Sequence, residues 1–186
     1  MTVQIVRRPF TVADYARMRE TGILSEDDRV ELIDGEVRVM SPIGPIHAAI
    51  VKRLNTLLSR MLPDTVILSV QDPIQLNDYS EPQPDLAILQ YRADFYAHAH
   101  PVADDVLLVI EVSDTTVEYD RDEKLSRYAN ANIPEAWLVD VNSDMVEQYL
   151  QPRNGKYLVK YLIERGDTLA AHAIPALQID VDRIFE

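Results

Sequence analysis

Residues 106–140 read VLLVIEVSDTTVEYDRDEKLSRYANANIPEAWLVD. The opening run, VLLVIEV, is nearly all apolar, the pattern of a central strand buried on both faces. An acidic loop follows. The next segment predicts a short helix over 121–131, with Asp120 as its N-cap and Glu123 three residues on as the other half of a capping box. Asn132 suits the left-handed position past a helix end, and Pro134 forbids continuation. EAWLVDV is a second buried strand. An acid, Glu111, stands where the first apolar run ends, and Lys124 stands early in the helix.

Upstream, PQPDLAIL carries a second acid, Asp85, at the start of a short strand. TVILSVQDPIQL reads as another strand, and Pro73 within it marks an edge or a bulge. IHAAIVKRLNTLLSRML places Ile50, Leu54, Leu57, Leu58 and Met61 at helical spacing, so this helix packs on a sheet, with His47 in its first turn. VELIDGEVRVM carries Asp34-Gly35 between two alternating runs, a hairpin signal, with Glu31 and Glu36 on its more polar faces. TVADYARMRE begins an N-terminal helix through a Thr11–Asp14 capping box, and Gly22 can end it.

Downstream, MVEQYLQ and KYLVKYLI form a meander turning at Asn154-Gly155. The tail IPALQIDVDRIF is apolar enough to dock on the body. The polar stretch RADFYAHAHPVADD reads as a loop or flap. No repeat or low-complexity linker divides the chain. The expected fold is α/β: one domain over 1–186 with a mixed central β-sheet flanked by helices, an N-terminal helix and hairpin, and a C-terminal β-meander.

The 186 residues suffice for one well-cored domain and are short for two. No window holds the eighteen or more apolar residues of a membrane helix, and the N-terminus lacks the apolar run of a signal peptide. The absence of cysteine excludes disulfides, cysteine zinc sites and thiol catalysis, and it suits a cytoplasmic protein. A net charge of −13 counts against a large nonspecific DNA-binding surface, although a local cleft can carry the opposite sign. The basic clusters Arg7-Arg8, Lys52-Arg53 and Arg121 with Lys124 and Arg127 each read most simply as solvated faces. There is no Gly-rich phosphate loop and no G-x-S-x-G elbow. His98 and His100 lack a third ligand nearby, and Asp140 reads as the polar end of a strand.

Two carboxylates and a lysine at strand and helix ends suit metal-assisted phosphodiester cleavage. A Mg²⁺ site needs one or two carboxylates, with waters and substrate phosphate completing the octahedron. A nearby lysine orients the attacking water or offsets the charge of the transition state. Asp85 and Glu111 fit the ligand role if their strands are neighbours. Lys124 fits the other role if the helix folds back over the strand end. Tyr128, one turn further along the same helix face, can brace Lys124, contact phosphate, or pack on the sheet. The simpler alternative is an ordinary strand-end acid beside a solvated helix lysine.

The order and spacing of ELIDGEVRVMSP, His47, Pro84-Asp85 and IEVSDTTVEYDRDEKLSRYANANIPEAWLVD resemble the Uma2 family, also called DUF820, of the PD-(D/E)XK restriction-endonuclease-like superfamily. The resemblance implies a restriction-endonuclease-like core and a Mg- or Mn-dependent endonuclease acting on DNA. It implies that Asp85 is the acid of the PD element and Glu111 the acid of the (D/E)XK element. Ser113 then stands at the lysine position of that element, and Lys124 supplies the ammonium from the helix. Glu31 matches the acid of the hairpin motif and is a further cleft acid. His47 is a candidate site contact or a capping residue. The expectation that accompanies the family is a homodimer that reaches both strands. The alternative is a nuclease fold without catalysis, serving as a protein-interaction or nucleic-acid-sensing module.

Overall fold

The computed structural model describes residues 8–25, 27–114 and 120–186, the side chains of residues 120 and 122 excepted. The first helix, α1 (Val12–Glu20), is closed by Thr11, whose hydroxyl accepts the Asp14 N–H at 3.1 Å while the Asp14 carboxylate accepts the Thr11 N–H at 3.1 Å. This is the capping box that the residue types predict. Strands β1 (Val30–Ile33) and β2 (Glu36–Val39) form a separate two-stranded hairpin. Asp34 at φ 51° and Gly35 at φ 77° make its turn. A side chain at position 35 would meet Pro9 as well as a strained backbone.

Helix α2 (Pro45–Met61) leads into β3 (Val66–Val70), β4 (Leu86–Gln90) and β5 (Val106–Ser113). A π-helical turn over Asp120–Lys124 and helix α3 (Leu125–Asn130) cross to β6 (Glu135–Asp140). Strands β7 (Met145–Arg153) and β8 (Lys156–Glu164) complete the sheet. A small hairpin, β9 (Thr168–Ala170) and β10 (Gln178–Asp180), and the turn-long α4 (Asp182–Phe185) follow.

The sheet order is β3-β4-β5-β6-β7-β8, with β5–β6 parallel and every other pair antiparallel. Only a parallel pair needs a long crossover, and the π turn and α3 supply it. Leu108, Ile110, Val112, Trp137 and Val139 face Ile50, Leu54, Leu57 and Leu58 of α2, together with Leu177, Ile179 and Ile184 of the docked tail. Val109, Ala136 and Leu138 face Leu125 and Tyr128 of the crossover. Cover on both faces explains why β5 and β6 lack hydrophobic alternation. Among the described residues no helix is long and apolar enough to cross a membrane.

Three local expectations change. The crossover helix runs over 120–130, close to the expected 121–131, but its first turn is π-helical and regular α-helix covers only Leu125–Asn130. The Asp120 cap lies outside the described side chains, and Glu123 pairs with Arg127 at 2.9 Å and Arg38 at 3.5 Å. The strand predicted through Pro73 stops at Val70, because Gln71 turns to φ 56° and proline lacks a ladder donor. Glu31 leaves the polar face assigned to it and is buried, at 5% exposure. Asn132, at φ 59°, ends α3 as its residue type predicts.

Glu135 holds the tail to the sheet. Its fully buried carboxylate accepts from Trp137 Nε1 at 2.7 Å, Gln148 Nε2 at 2.7 Å, and the backbone N–H groups of His172 and Ala173, each at 2.8 Å. Glu135→Ala strands these donors and is expected to cost about 3–5 kcal/mol, read as a shift in the urea unfolding midpoint.

Candidate active site

The β4–β5 ladder pairs Leu86 with Ile110, and one step beyond stand Asp85 and Glu111. Opposed positions of an antiparallel pair point to the same face, so neighbouring strands bring the two carboxylates to one end of the sheet. Both line a cleft of about 140 Å³, together with Glu31, His47, Gln83 and Lys124.

Asp85 is held on three sides. Its Oδ2 receives the backbone N–H of Val112 at 2.9 Å and lies 2.9 Å from His47 Nε2. Its Oδ1 accepts from the Gln71 amide at 3.2 Å. Burial opposes ionisation here. The hydrogen bond and charge of His47, with the Val112 N–H and the Gln71 amide, outweigh it and hold the carboxyl below its usual range. Proline at the first position of α2 starts the helix, and this places His47 over the cleft.

Glu111 Oε1 accepts from the Tyr128 hydroxyl at 2.6 Å and lies 3.4 Å from Lys124 Nζ. Lys124 Nζ also lies 3.5 Å from Glu31 Oε2, which accepts the Gln83 N–H at 3.2 Å. Lys124 is 7% exposed, so it is no solvated helix lysine. Tyr128 fixes Glu111 and packs on the sheet as well. Ser113 is fully buried and does not line the cleft. The ammonium that lines the cleft is that of Lys124, from the crossover.

The remaining basic cluster is also committed to carboxylates. Arg127 donates to Asp34 Oδ2 at 2.6 and 3.0 Å, which ties the crossover to the hairpin turn beside Glu31. Arg121 forks onto Glu147 at 2.7 and 3.0 Å, and Lys160 Nζ lies 2.9 Å from the same carboxylate. Tyr149 donates a further hydrogen bond to it. Burial pushes the Glu147 carboxyl up, but Arg121, Tyr149 and Lys160 together bring it down to about 2.

Sequence reading proposed Asp85, Glu111, Lys124, Glu31, His47 and Tyr128, and the fold brings them together. It missed Gln71 and Gln83. Gln83 Nε2 donates to the Gln71 carbonyl, so the two glutamines brace each other beside the acids. Neither has a residue type or spacing that signals a site. The prolines flanking Gln83 were the available clue to a rigid approach. His98 and His100 are exposed loop residues, and Asp140 caps its own turn through the Asn142 N–H at 3.0 Å.

A mixed sheet with a central parallel pair, and acids meeting at the strand end beneath a crossover helix, define a restriction-endonuclease-like α/β protein. The Uma2 family model, described as "Putative restriction endonuclease", matches residues 12–182, and the chain belongs to that family. Family and fold support nuclease activity as the general class. The crystal structure of a "putative nuclease belonging to DUF820" from Anabaena variabilis is similar at a TM-score of 0.70 and 14% identity, covering 95% of this chain and 98% of that one. A comparison with curated proteins finds no match.

Two outcomes are expected here. A depressed carboxyl contributes its full stabilisation above the ordinary value of 4.5 and loses it as pH falls toward about 2. Urea unfolding across that window should therefore fall less steeply with acid in Glu147→Gln than in wild type. Arg127→Ala should raise amide hydrogen exchange over residues 30–39 by up to about fivefold, since a half-exposed pair contributes roughly 1 kcal/mol at most.

Proposed function

We propose that this chain, acting as one domain over 1–186, is a metal-dependent endonuclease that hydrolyses DNA phosphodiester bonds. The observation that carries the reading is the convergence of Asp85, Glu111, Glu31 and Lys124 on one cleft. Three carboxylates on one cleft, two of them beside a buried ammonium, are costly to assemble without a use.

Asp85 and Glu111 would hold Mg²⁺ or Mn²⁺. Among the described residues no set of three or more ligating side chains surrounds a common point. The donor chemistry nevertheless fits, because these cations bind through one or two carboxylates and take waters and phosphate for the rest. The bound ion would acidify water and offset phosphate charge. The chain's own groups do the remaining work. His47, Gln71 and the Val112 N–H fix the Asp85 carboxylate. Tyr128 fixes Glu111. Lys124 is held between Glu31 and Glu111, where its ammonium orients the attacking water and stabilises charge growing on the phosphoryl oxygens. Glu31 keeps the ammonium in the cleft. Cutting both strands in one encounter calls for two such centres, hence a homodimer.

The net charge of −13 favours a second reading, a nuclease fold that binds a protein or senses nucleic acid without cutting. Plasmid and single-stranded DNA incubated with Mg²⁺, Mn²⁺ or EDTA separate the two. Cleavage that requires the cation and falls at least about a hundredfold in Asp85→Ala, Glu111→Ala and Lys124→Ala is the expected result. Unchanged rates in all three variants would overturn the site, and wild type inert on every substrate would favour the silent module.

A further inference from the structure

Strand β8 closes one side of the sheet, and among the described residues no strand pairs with its outer edge. It is nine residues long, KYLVKYLIE, with no proline and no residue of positive φ. The opposite edge, β3, is a five-residue strand that ends at a positive-φ glutamine. Long, regular edges with apolar side chains invite pairing, and proteins usually blunt them. Here Leu158, Tyr161 and Leu162 are each more than half exposed, at 58%, 54% and 55%. Strand alternation puts Lys156, Leu158, Lys160, Leu162 and Glu164 on one face, and all five are exposed.

We infer that β8 is a self-complementary docking edge for a second copy of this chain. The two strands run antiparallel about a two-fold axis at Lys160 and join the two sheets into one. In that register Lys156 stands opposite Glu164 of the other copy, and Leu158 opposite Leu162. Two ion pairs then flank two leucine pairs. Shifting the axis one residue either way sets leucine against lysine, or leucine against glutamate, and loses both kinds of match. The cost of the centred register is Lys160 facing its own copy. That cost is reduced because each Lys160 ammonium lies 2.9 Å from the Glu147 carboxylate of its own chain. An isologous edge of this kind closes after two copies and leaves no further edge of the same type. The inference locates the dimer of the nuclease reading but rests on β8 alone, and its test reads association, so failure here and failure of cleavage are separate results.

Sedimentation velocity on the full chain is expected to show a dimer. Lys156→Glu sets like charges at both ends and should raise the dimer Kd about tenfold, and adding Glu164→Lys to the same chain should restore it. The chain has no cysteine, so register can be read chemically. Leu158→Cys with Leu162→Cys should oxidise to a covalent dimer. Leu158→Cys alone should not, because its counterpart lies four residues away, roughly 13 Å along the strand, beyond disulfide reach. Circular dichroism establishes that each variant is folded. A monomer at the highest attainable concentration, a dimer indifferent to Lys156→Glu, or equal cross-linking by the single cysteine would each overturn the inference.

Discussion

A buried lysine needs counter-charge, and in this protein that need joins three separately built parts. Lys124 comes from the crossover, Glu111 from the central strand and Glu31 from a hairpin outside the main sheet. An ammonium removed from water without partners costs several kcal/mol, so the three parts are stable together and poor apart. Two further contacts between hairpin and crossover, Arg127 with Asp34 and Arg38 with Glu123, are also ionic. Apolar packing of Val30 and Leu32 against Tyr15 and backbone bonds between Leu32 and Glu81 hold the other side of the hairpin.

The same logic recurs elsewhere. Glu147 gathers Arg121, Lys160 and Tyr149, and Glu135 gathers four donors from three segments. A chain of net charge −13 keeps the buried Glu147 and Glu135 carboxylates tolerable by giving each a dense set of donors. The acidity that argues against a broad nucleic-acid surface is therefore partly used inside the fold. Lys124 and Arg121 are partners of the buried acids Glu31, Glu111 and Glu147, and Arg127 pairs with Asp34 and Glu123 nearer the surface, which is why reading the cluster as a solvated face fails.

Much of the fold was legible in the residues. The capping box at Thr11, the Asp34-Gly35 and Asn154-Gly155 turns, and the apolar runs of β5 and β6 rest on short-range chemistry that single residues impose. The π turn was not legible. A capping-box pattern at Asp120 and Glu123 looks like an ordinary helix start, whereas the partners of this turn are long-range: Arg121 is bonded to Glu147, 26 residues away, and Glu123 shares Arg127 with Asp34. Gln71 and Gln83 were invisible for the same reason, since an amide beside an acid has no sequence period.

The sequence by itself determined the menu: which runs are strands, where the turns fall, and that Asp85, Glu111 and Lys124 stand at element ends. Local sterics, capping and apolar periodicity act over a few residues, so they can be read from a few residues. Only the tertiary structure decided that β4 lies beside β5 in the register that opposes Asp85 to Glu111, that Glu31 turns inward, and that Tyr128 bonds to Glu111 while His47 reaches Asp85. Those outcomes depend on which buried charge can find which donor once the sheet has closed, and that pairing is a property of the whole chain.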